Sequence, residues 1–400
     1  MAAVALLAVV ATSCLYSPGA SAAGAATGAR LAAGPAVARS APTTTTTVPT
    51  TRSTVPAPAV SRVRASGGRL TLDGRPWAPV GVNAYSLATW WGRNPGCGTM
   101  YTDAQLEAFF SSLPPKALVR TWAWQGTMTT GFRSGQRDWG PLDRVVAAAQ
   151  RHGTLLVLSA TSQSGGCDDN HWKDAAWYRG GYRTQYPGDG YTRTASSFDS
   201  YLTALVTRYR TSPAVAMWEP VNEPEGAACA PGSAGERCYG HLTCPDERGA
   251  ATAIRSFYDV VGARIHQLDP GRPVHLGAIG SGQCGFAGAD YGYVAASPGV
   301  DVTSFHDYTG AAVSPSALTA AVAASRLLGK PLLVGEMGRN GGATAGCPTV
   351  GARAVSLGSA VQQRLASGAT GVLLWNADLA RPSPCDMTLL PGDPALGLLR

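Results

Sequence analysis

Charge is scarce in this chain of 400 residues, where Asp, Glu, Lys and Arg together make up 14%. Lysine is scarcer still: Lys116, Lys173 and Lys330 are its only occurrences, so the net charge of +7 rests on arginine. Those arginines are scattered. No run of five Lys or Arg occurs and no predicted helix carries a basic stripe, which excludes the usual footprint of a nucleic-acid-binding surface. Also missing is any G-x-S-x-G, so a serine-hydrolase elbow has no anchor. Gly280-Ser281-Gly282-Gln283-Cys284-Gly285 does match G-x-G-x-x-G after a strand pattern. No clear helix opens behind it and no acid follows at the spacing of a second βαβ unit, so a dinucleotide site is rejected. Its Cys284 suits a disulfide better.

Long apolar runs are short supply too. The opening stretch Ala2 to Ala11 is ten residues, too short to span a bilayer and the right length for the core of a secretory signal. Ala20-Ser21-Ala22 supplies a small-residue cleavage site. No Lys or Arg precedes the run, so either the start lies upstream or the signal departs from the usual pattern. Cleavage is the expectation; lipidation at Cys14 is the alternative, with Ala11 standing where Leu would be expected. Residues 1–22 therefore read as a signal and 23–65 as a linker rich in Ala, Thr, Pro and Ser, with Thr43 to Pro58 at its core. That segment has almost no large side chains to bury and reads as an extended tether to a wall or membrane. An extracellular, cell-surface location is the expectation.

Nine cysteines occur, and eight remain once Cys14 is set aside. An even count in an exported chain argues for disulfides. Cys238 and Cys244, with His241 between, could suggest zinc, but they lie too far apart and no second matching pair follows. The expected pairs are Cys97 with Cys167 and Cys347 with Cys385. Cys229, Cys238, Cys244 and Cys284 would form two more.

Hydrophobic residues make up 45% of the chain, enough for a large core. From Arg69 onward a short hairpin with an Asp73-Gly74 turn is expected, followed by eight short apolar runs. These are Val80–Val82, Ala117–Val119, Leu155–Leu158, Val215–Met217, Val274–Leu276, Val300–Phe305, Leu332–Val334 and Val372–Leu374. Helical periodicity falls between them, beginning with a capping box at Thr102 and Gln105. Strands apolar throughout, each followed by a helix, predict a parallel sheet covered on both faces. Eight units predict an α/β fold of the (β/α)8 TIM-barrel type, one domain over residues 66–400. The fifth unit, weakly helical, and the eighth, with 24 residues after Asn376, have the thinnest patterns.

Catalytic groups in such a barrel sit at the C-terminal strand ends. The fourth run leads into Trp218-Glu219-Pro220-Val221-Asn222-Glu223-Pro224-Glu225, and the seventh ends on Glu336. Two carboxylates on opposite sides of a barrel mouth can flank one glycosidic bond. In a retaining mechanism Glu336 would attack the anomeric carbon and Glu223 would shuttle the proton. Glu219 and Glu225 read as structural or loop acids.

Asn222-Glu223-Pro224 with a Glu closing strand seven resembles the barrel glycosidases whose catalytic glutamates end strands four and seven. Within them the chain resembles glycoside hydrolase family 5, the cellulase and β-mannanase family, over most of residues 69 to 376. Val119-Arg120-Thr121-Trp122-Ala123-Trp124 is similar to the strand-two motif of the mannanase branch, as are Leu142-Asp143-Arg144 and His152-Gly153. The resemblance implies that Arg120 supports the nucleophile, that Tyr308 of Phe305-His306-Asp307-Tyr308 contacts it, and that His306 belongs to the site. It also implies that Asn222 bonds the sugar 2-hydroxyl and that Trp375 stacks on a sugar. Trp122, a further candidate substrate contact, reads equally as core packing, like Trp124 and Trp218. After strand three the chain carries Ser159-Ala160-Thr161-Ser162-Gln163-Ser164 in place of the mannanase Asn and Trp. The expected activity is a secreted, monomeric β-glycan hydrolase, mannan- or glucan-type, needing neither metal nor organic cofactor. The alternatives are an exo-acting β-furanosidase of bacterial wall galactan and a non-catalytic carbohydrate-binding protein.

Overall fold

The computed structural model describes residues 63–88, 101–130, 136–186, 194–280, 282–308, 315–379 and 383–400. The expected signal, residues 23–62 of the expected linker and Cys97 lie outside these residues, and the boundaries drawn for the linker and the catalytic domain stay expectations.

The barrel strands follow the apolar runs. They are β1 (Val80–Asn83), β2 (Leu118–Trp122), β3 (Leu155–Ser159), β4 (Val215–Glu219), β6 (Thr303–Asp307), β7 (Leu332–Met337) and β8 (Gly371–Leu374). Seven of them pair in parallel in the order β6-β7-β8-β1-β2-β3-β4. Residues 274–276 take the fifth place, β5, and close the ring through single parallel bridges from Val274 to Trp218 and from His275 to Val302. The His275 N–H donates to the Trp218 carbonyl at 2.8 Å and the Leu276 N–H to the Val302 carbonyl at 2.9 Å. The expected (β/α)8 barrel is what forms.

Alternation along each strand sorts its side chains into two cores. Leu118, Leu155, Val157, Met217, Val302, Leu333 and Leu373 point inward and pack as one cluster. Val119, Leu156, Leu158, Trp218, Val274 and Val334 point outward to the helices. The hairpin Val63–Ser66 with Arg69–Leu72 covers the N-terminal end of the barrel, adding Val63, Leu70 and Leu72 to the inner cluster. Its Asp73-Gly74 turn forms as expected, both residues having positive φ (51° and 77°), and leads into a third short strand, Arg75–Pro76. With the N-terminal floor apolar, inward polar residues are left to the C-terminal mouth.

Helices α1 (Asp103–Ser111), α2 (Gly140–His152), α3 (Phe198–Tyr209), α4 (Glu247–Leu268), α5 (Ala289–Ala295), α6 (Pro315–Leu327) and α7 (Val350–Ser367) follow strands one to seven. Both halves of the Thr102–Gln105 capping box are made. The thinly patterned fifth unit is helical after all, over two turns, while a 3-10 turn, Pro394–Leu398, stands where an eighth helix would. The Leu142-Asp143-Arg144 motif joins helices: Asp143 accepts from Arg208 and Tyr209 of α3, and Arg144 donates to Asp103 of α1. Disulfides link Cys347 to Cys385, Cys229 to Cys238 and Cys244 to Cys284. The first is the pair expected, and the other two pair the remaining four cysteines.

Helix α4 approaches the turn after α5 so closely that a Cβ on Gly262 would lie 2.1 Å from the Gly299 carbonyl oxygen. In α7, by contrast, a Cβ on Gly351 would meet nothing nearer than 3.9 Å. The same substitution should therefore have opposite signs. Gly262→Ala should lower unfolding free energy by ~1–3 kcal/mol through overpacking against backbone, and Gly351→Ala should raise it by ~0.5 kcal/mol through helix propensity. Urea midpoints of the two variants measure this, and a loss at both or at neither would contradict the packing described.

Candidate active site

Inward-facing polar residues at the C-terminal strand ends converge on Arg120, which is 1% exposed. Its guanidinium has five N–H donors and all five are used. Nε donates to Glu219 Oε2 at 2.8 Å and Nη2 to Glu219 Oε1 at 2.6 Å, a bidentate pair. Nη1 donates to Asn83 Oδ1 at 2.9 Å and to Glu336 Oε1 at 2.7 Å. The second Nη2 proton goes to Asn222 Oδ1. One cation thus gathers the ends of β1, β2, β4 and β7.

Glu219 has no access to water, and its second partner is His275 Nδ1 at 2.7 Å. Burial opposes the Glu219 charge, but Arg120 and the His275 hydrogen bond hold its carboxyl well below the usual range. Burial lowers His275 below the ordinary histidine value, so it serves as a neutral donor. Glu219, read from sequence as structural, is the principal counter-ion of Arg120.

Glu336 receives Arg120 on Oε1 and the Tyr308 hydroxyl on Oε2. Burial pushes its carboxyl upward; His306 and Arg120 pull against that, and the Glu223 charge adds to it. Burial also drives the Tyr308 phenol well above its ordinary value, which keeps it a donor. His306 Nδ1 lies 2.8 Å from Glu223 Oε1 and 3.6 Å from Glu336 Oε2. Although burial disfavours its cation, the two carboxylates raise its pKa. The Glu223 side chain is 23% exposed and that of Glu336 4%. One acid therefore faces the opening and the other lies beneath it.

Acceptor and donor atoms of Glu223, His306 and Glu336 all fall within 4.8 Å of one another, a set that a cation could also use. Arg120 already supplies the positive charge there. Cys244, Glu247 and Cys284 form a second such group, but its two sulfurs are joined in a disulfide.

Trp375 ends β8 and stacks on Tyr85, with centroids 5.4 Å apart and planes 11° apart. Trp122 stacks on Trp124, with centroids 3.7 Å apart, and packs against Tyr85 at 4.3 Å with a tilt of 39°. Six of the residues singled out from sequence thus share one cluster of hydrogen bonds and ion pairs: Arg120, Asn222, Glu223, His306, Tyr308 and Glu336. Trp375 and Trp122 sit in an aromatic row beside it. Asn83 and His275 were missed. Asn83 donates to the carbonyls of Gly335 (2.9 Å) and Leu374 (3.3 Å), tying β1 to its neighbours. Each is a polar residue at an inward position of an apolar strand, the signal that could have found it.

The model of the family described as cellulase (glycosyl hydrolase family 5) matches residues 80–377. The chain belongs to glycosyl hydrolase family 5. Among curated relatives, the probable mannan endo-1,4-beta-mannosidase F of Aspergillus flavus is 27% identical over 285 residues, covering 62% of this chain and 53% of that protein. Mannan endo-1,4-beta-mannosidase F of Aspergillus fumigatus is 26% identical, covering 62% and 56%. The chain spans about half the length of these relatives. Among solved structures, the endo-1,4-beta-mannanase of Rhizomucor miehei superposes with a TM-score of 0.60 at 19% identity, covering 84% of this chain and 97% of that one. The endo-1,4-beta-D-mannanase of Thermotoga petrophila gives 0.56 at 16% identity, covering 80% and 98%. These structures share the family's barrel fold.

Arg120→Met should cost about 3–5 kcal/mol, because it strands the buried Glu219 and Glu336 without a counter-ion. A loss under ~1 kcal/mol in urea unfolding would remove Arg120 from its central place. A second prediction concerns Glu225, whose carboxyl burial pushes up to about 7. A raised folded pKa gives stability that is present at low pH and lost as pH climbs from the unfolded value toward 7. Glu225→Gln should therefore match the parent near pH 4 and exceed it increasingly up to pH 8. A difference in urea midpoint that stays constant with pH would rule this out.

Proposed function

We propose that this family 5 chain is an exported, retaining endo-β-mannan hydrolase with Glu336 as nucleophile and Glu223 as acid/base. The observation that carries this reading is the carboxylate pair itself. Oxygens of Glu223 and Glu336 lie within 4.8 Å, nearer the short separation of retaining enzymes than the wider gap that admits a water in inverting ones.

Glu336 attacks the anomeric carbon while Glu223 gives its proton to the departing glycosidic oxygen, leaving a glycosyl ester on Glu336. Glu223, now a carboxylate, takes a proton from water, whose oxygen attacks the same carbon and frees Glu336. Two inversions restore the starting configuration. Arg120 and Tyr308 occupy both oxygens of Glu336, which fixes the carboxylate for attack and stabilises it as leaving group in the second step. Asn222 is placed to reach the sugar 2-hydroxyl and Trp375 to stack on a ring. The relatives named as mannan endo-1,4-beta-mannosidases favour mannan over glucan. Disulfides at Cys229–Cys238, Cys244–Cys284 and Cys347–Cys385 among the described residues support export to an oxidising compartment. Tethering through the Thr/Pro segment and a monomeric state belong to the same reading.

Purified chain should cut β-1,4-mannan into fragments of several lengths, with the β-anomer appearing first by proton NMR. Glu336→Ala should lower kcat by on the order of 10^4 to 10^6. Release of the α-anomer first would remove the retaining mechanism. Turnover confined to β-galactofuranosides would move the chain to the exo-acting reading, and sugar binding without turnover to the non-catalytic one.

A further inference from the structure

Glu223 has a φ of 56°, a left-handed backbone that non-glycine residues seldom adopt and that must be held by its surroundings. Both of its main-chain groups are bound. Its N–H donates to the Gly277 carbonyl at 2.8 Å, and its carbonyl accepts from Gln283 Nε2 at 3.1 Å. Gln283 is 8% exposed, and its other head atom, Oε1, accepts from the Ile279 N–H at 3.0 Å. The Ile279 carbonyl in turn accepts from the His306 N–H at 2.9 Å. His306 Nδ1 returns to the Glu223 carboxylate at 2.8 Å. The path from the Glu223 carbonyl through Gln283, the Ile279 peptide and His306 back to the Glu223 side chain is closed.

The frame around this circuit is stiff. A Cβ on Gly277, whose φ is 70°, would lie 2.3 Å from the Val221 carbonyl oxygen, so the segment that holds the Glu223 N–H is pressed against the loop that carries it. Beside Gln283, Cys284 accepts from the Gly226 N–H at 2.8 Å and is bonded to Cys244.

We infer that Gln283 is a positioning residue for the acid/base: it locks the left-handed peptide of Glu223 and couples it to His306, aiming the Glu223 carboxyl at the leaving oxygen. A side-chain amide suits the site, which asks one head group for a donor and an acceptor on two separate atoms. Asparagine is one methylene short. Glutamate keeps the acceptor for Ile279 but sets a carboxylate oxygen against the Glu223 carbonyl. The inference rests on Glu223 being the acid/base.

Leaving-group dependence tests it, since a poor leaving group needs the proton and a good one does not. With the full chain, kcat/KM, which reports the bond-breaking step, is measured on phenyl and 2,4-dinitrophenyl β-mannobiosides for Gln283→Ala, Gln283→Glu and Glu223→Ala. Both Gln283 variants should lose about tenfold on the phenyl substrate and under about twofold on the dinitrophenyl one. Glu223→Ala should show the same pattern, larger, with azide restoring its turnover of the dinitrophenyl substrate. Equal losses of the Gln283 variants on both substrates, with Glu223→Ala still selective, would make Gln283 merely structural and overturn the inference alone. Equal losses for Glu223→Ala as well would overturn the role of Glu223, and the inference with it.

Discussion

A guanidinium sealed from water inside the barrel has to be satisfied completely, and Arg120 is: five donors, five acceptors, contributed by Asn83, Glu219, Asn222 and Glu336. Desolvating a cation is expensive unless its partners are charged and well placed. Two of these four residues are carboxylates, so the cluster would be net negative around one positive charge. His275 meets the remaining demand of Glu219 as a neutral donor, and His306 stands between the two candidate catalytic acids. These groups lie at inward positions of the strands or in the loop that follows one. The site's geometry is therefore tied to barrel closure, and a strand displaced by one residue would turn its polar group outward into the helix layer.

The barrel separates two demands that conflict. Leucine, valine and methionine fill its lower interior, where the hairpin closes the end and nothing polar is needed. Above them the inward positions carry Arg120, Glu219 and His275, with Asn83 and Glu336 at the rim. Such a polar layer is stable only when every member is paired, since the low dielectric that strengthens a made bond raises the cost of an unmade one. The same environment separates the behaviour of the two glutamates. Glu336 is buried and held by fixed donors. Glu223 opens toward the mouth and bonds to a histidine whose pKa its neighbours raise.

Much of this was legible in the sequence because apolar runs recur at the spacing of βα units. Eight runs gave eight strand positions, including 274–276, where the pairing is only a pair of bridges. Glu223, Glu336, Arg120, His306 and Tyr308 were legible because they end such runs and match a family pattern. Asn83 and His275 were not, because a single polar residue closing or interrupting a three-residue run has no periodicity to betray it. Gln283 was harder still. It sits in a glycine-rich loop whose pattern suggested a nucleotide fingerprint, and its meaning depends on the positive φ of Glu223, which no residue type announces. Trp122 carried two readings in sequence, and in the fold its ring packs against Tyr85 and Trp124.

Loop composition after strand three shows the same limit from the other side. Ser159-Ala160-Thr161-Ser162-Gln163-Ser164 stands in place of the Asn and Trp of the mannanase pattern, and from sequence alone that left the sugar open. In the folded chain Gln163 is 1% exposed and turns inward. It donates to the Lys173 carbonyl and accepts from the Tyr178 hydroxyl and from the Glu225 N–H. Gln163 thus braces the loop that carries Glu223, as Gln283 does through the Glu223 carbonyl. Two buried amides hold a backbone conformation that its own residue type disfavours. The departure thus concerns how the loop that carries Glu223 is supported, and among the described residues the aromatic row of Trp375 and Trp122 stands beside it.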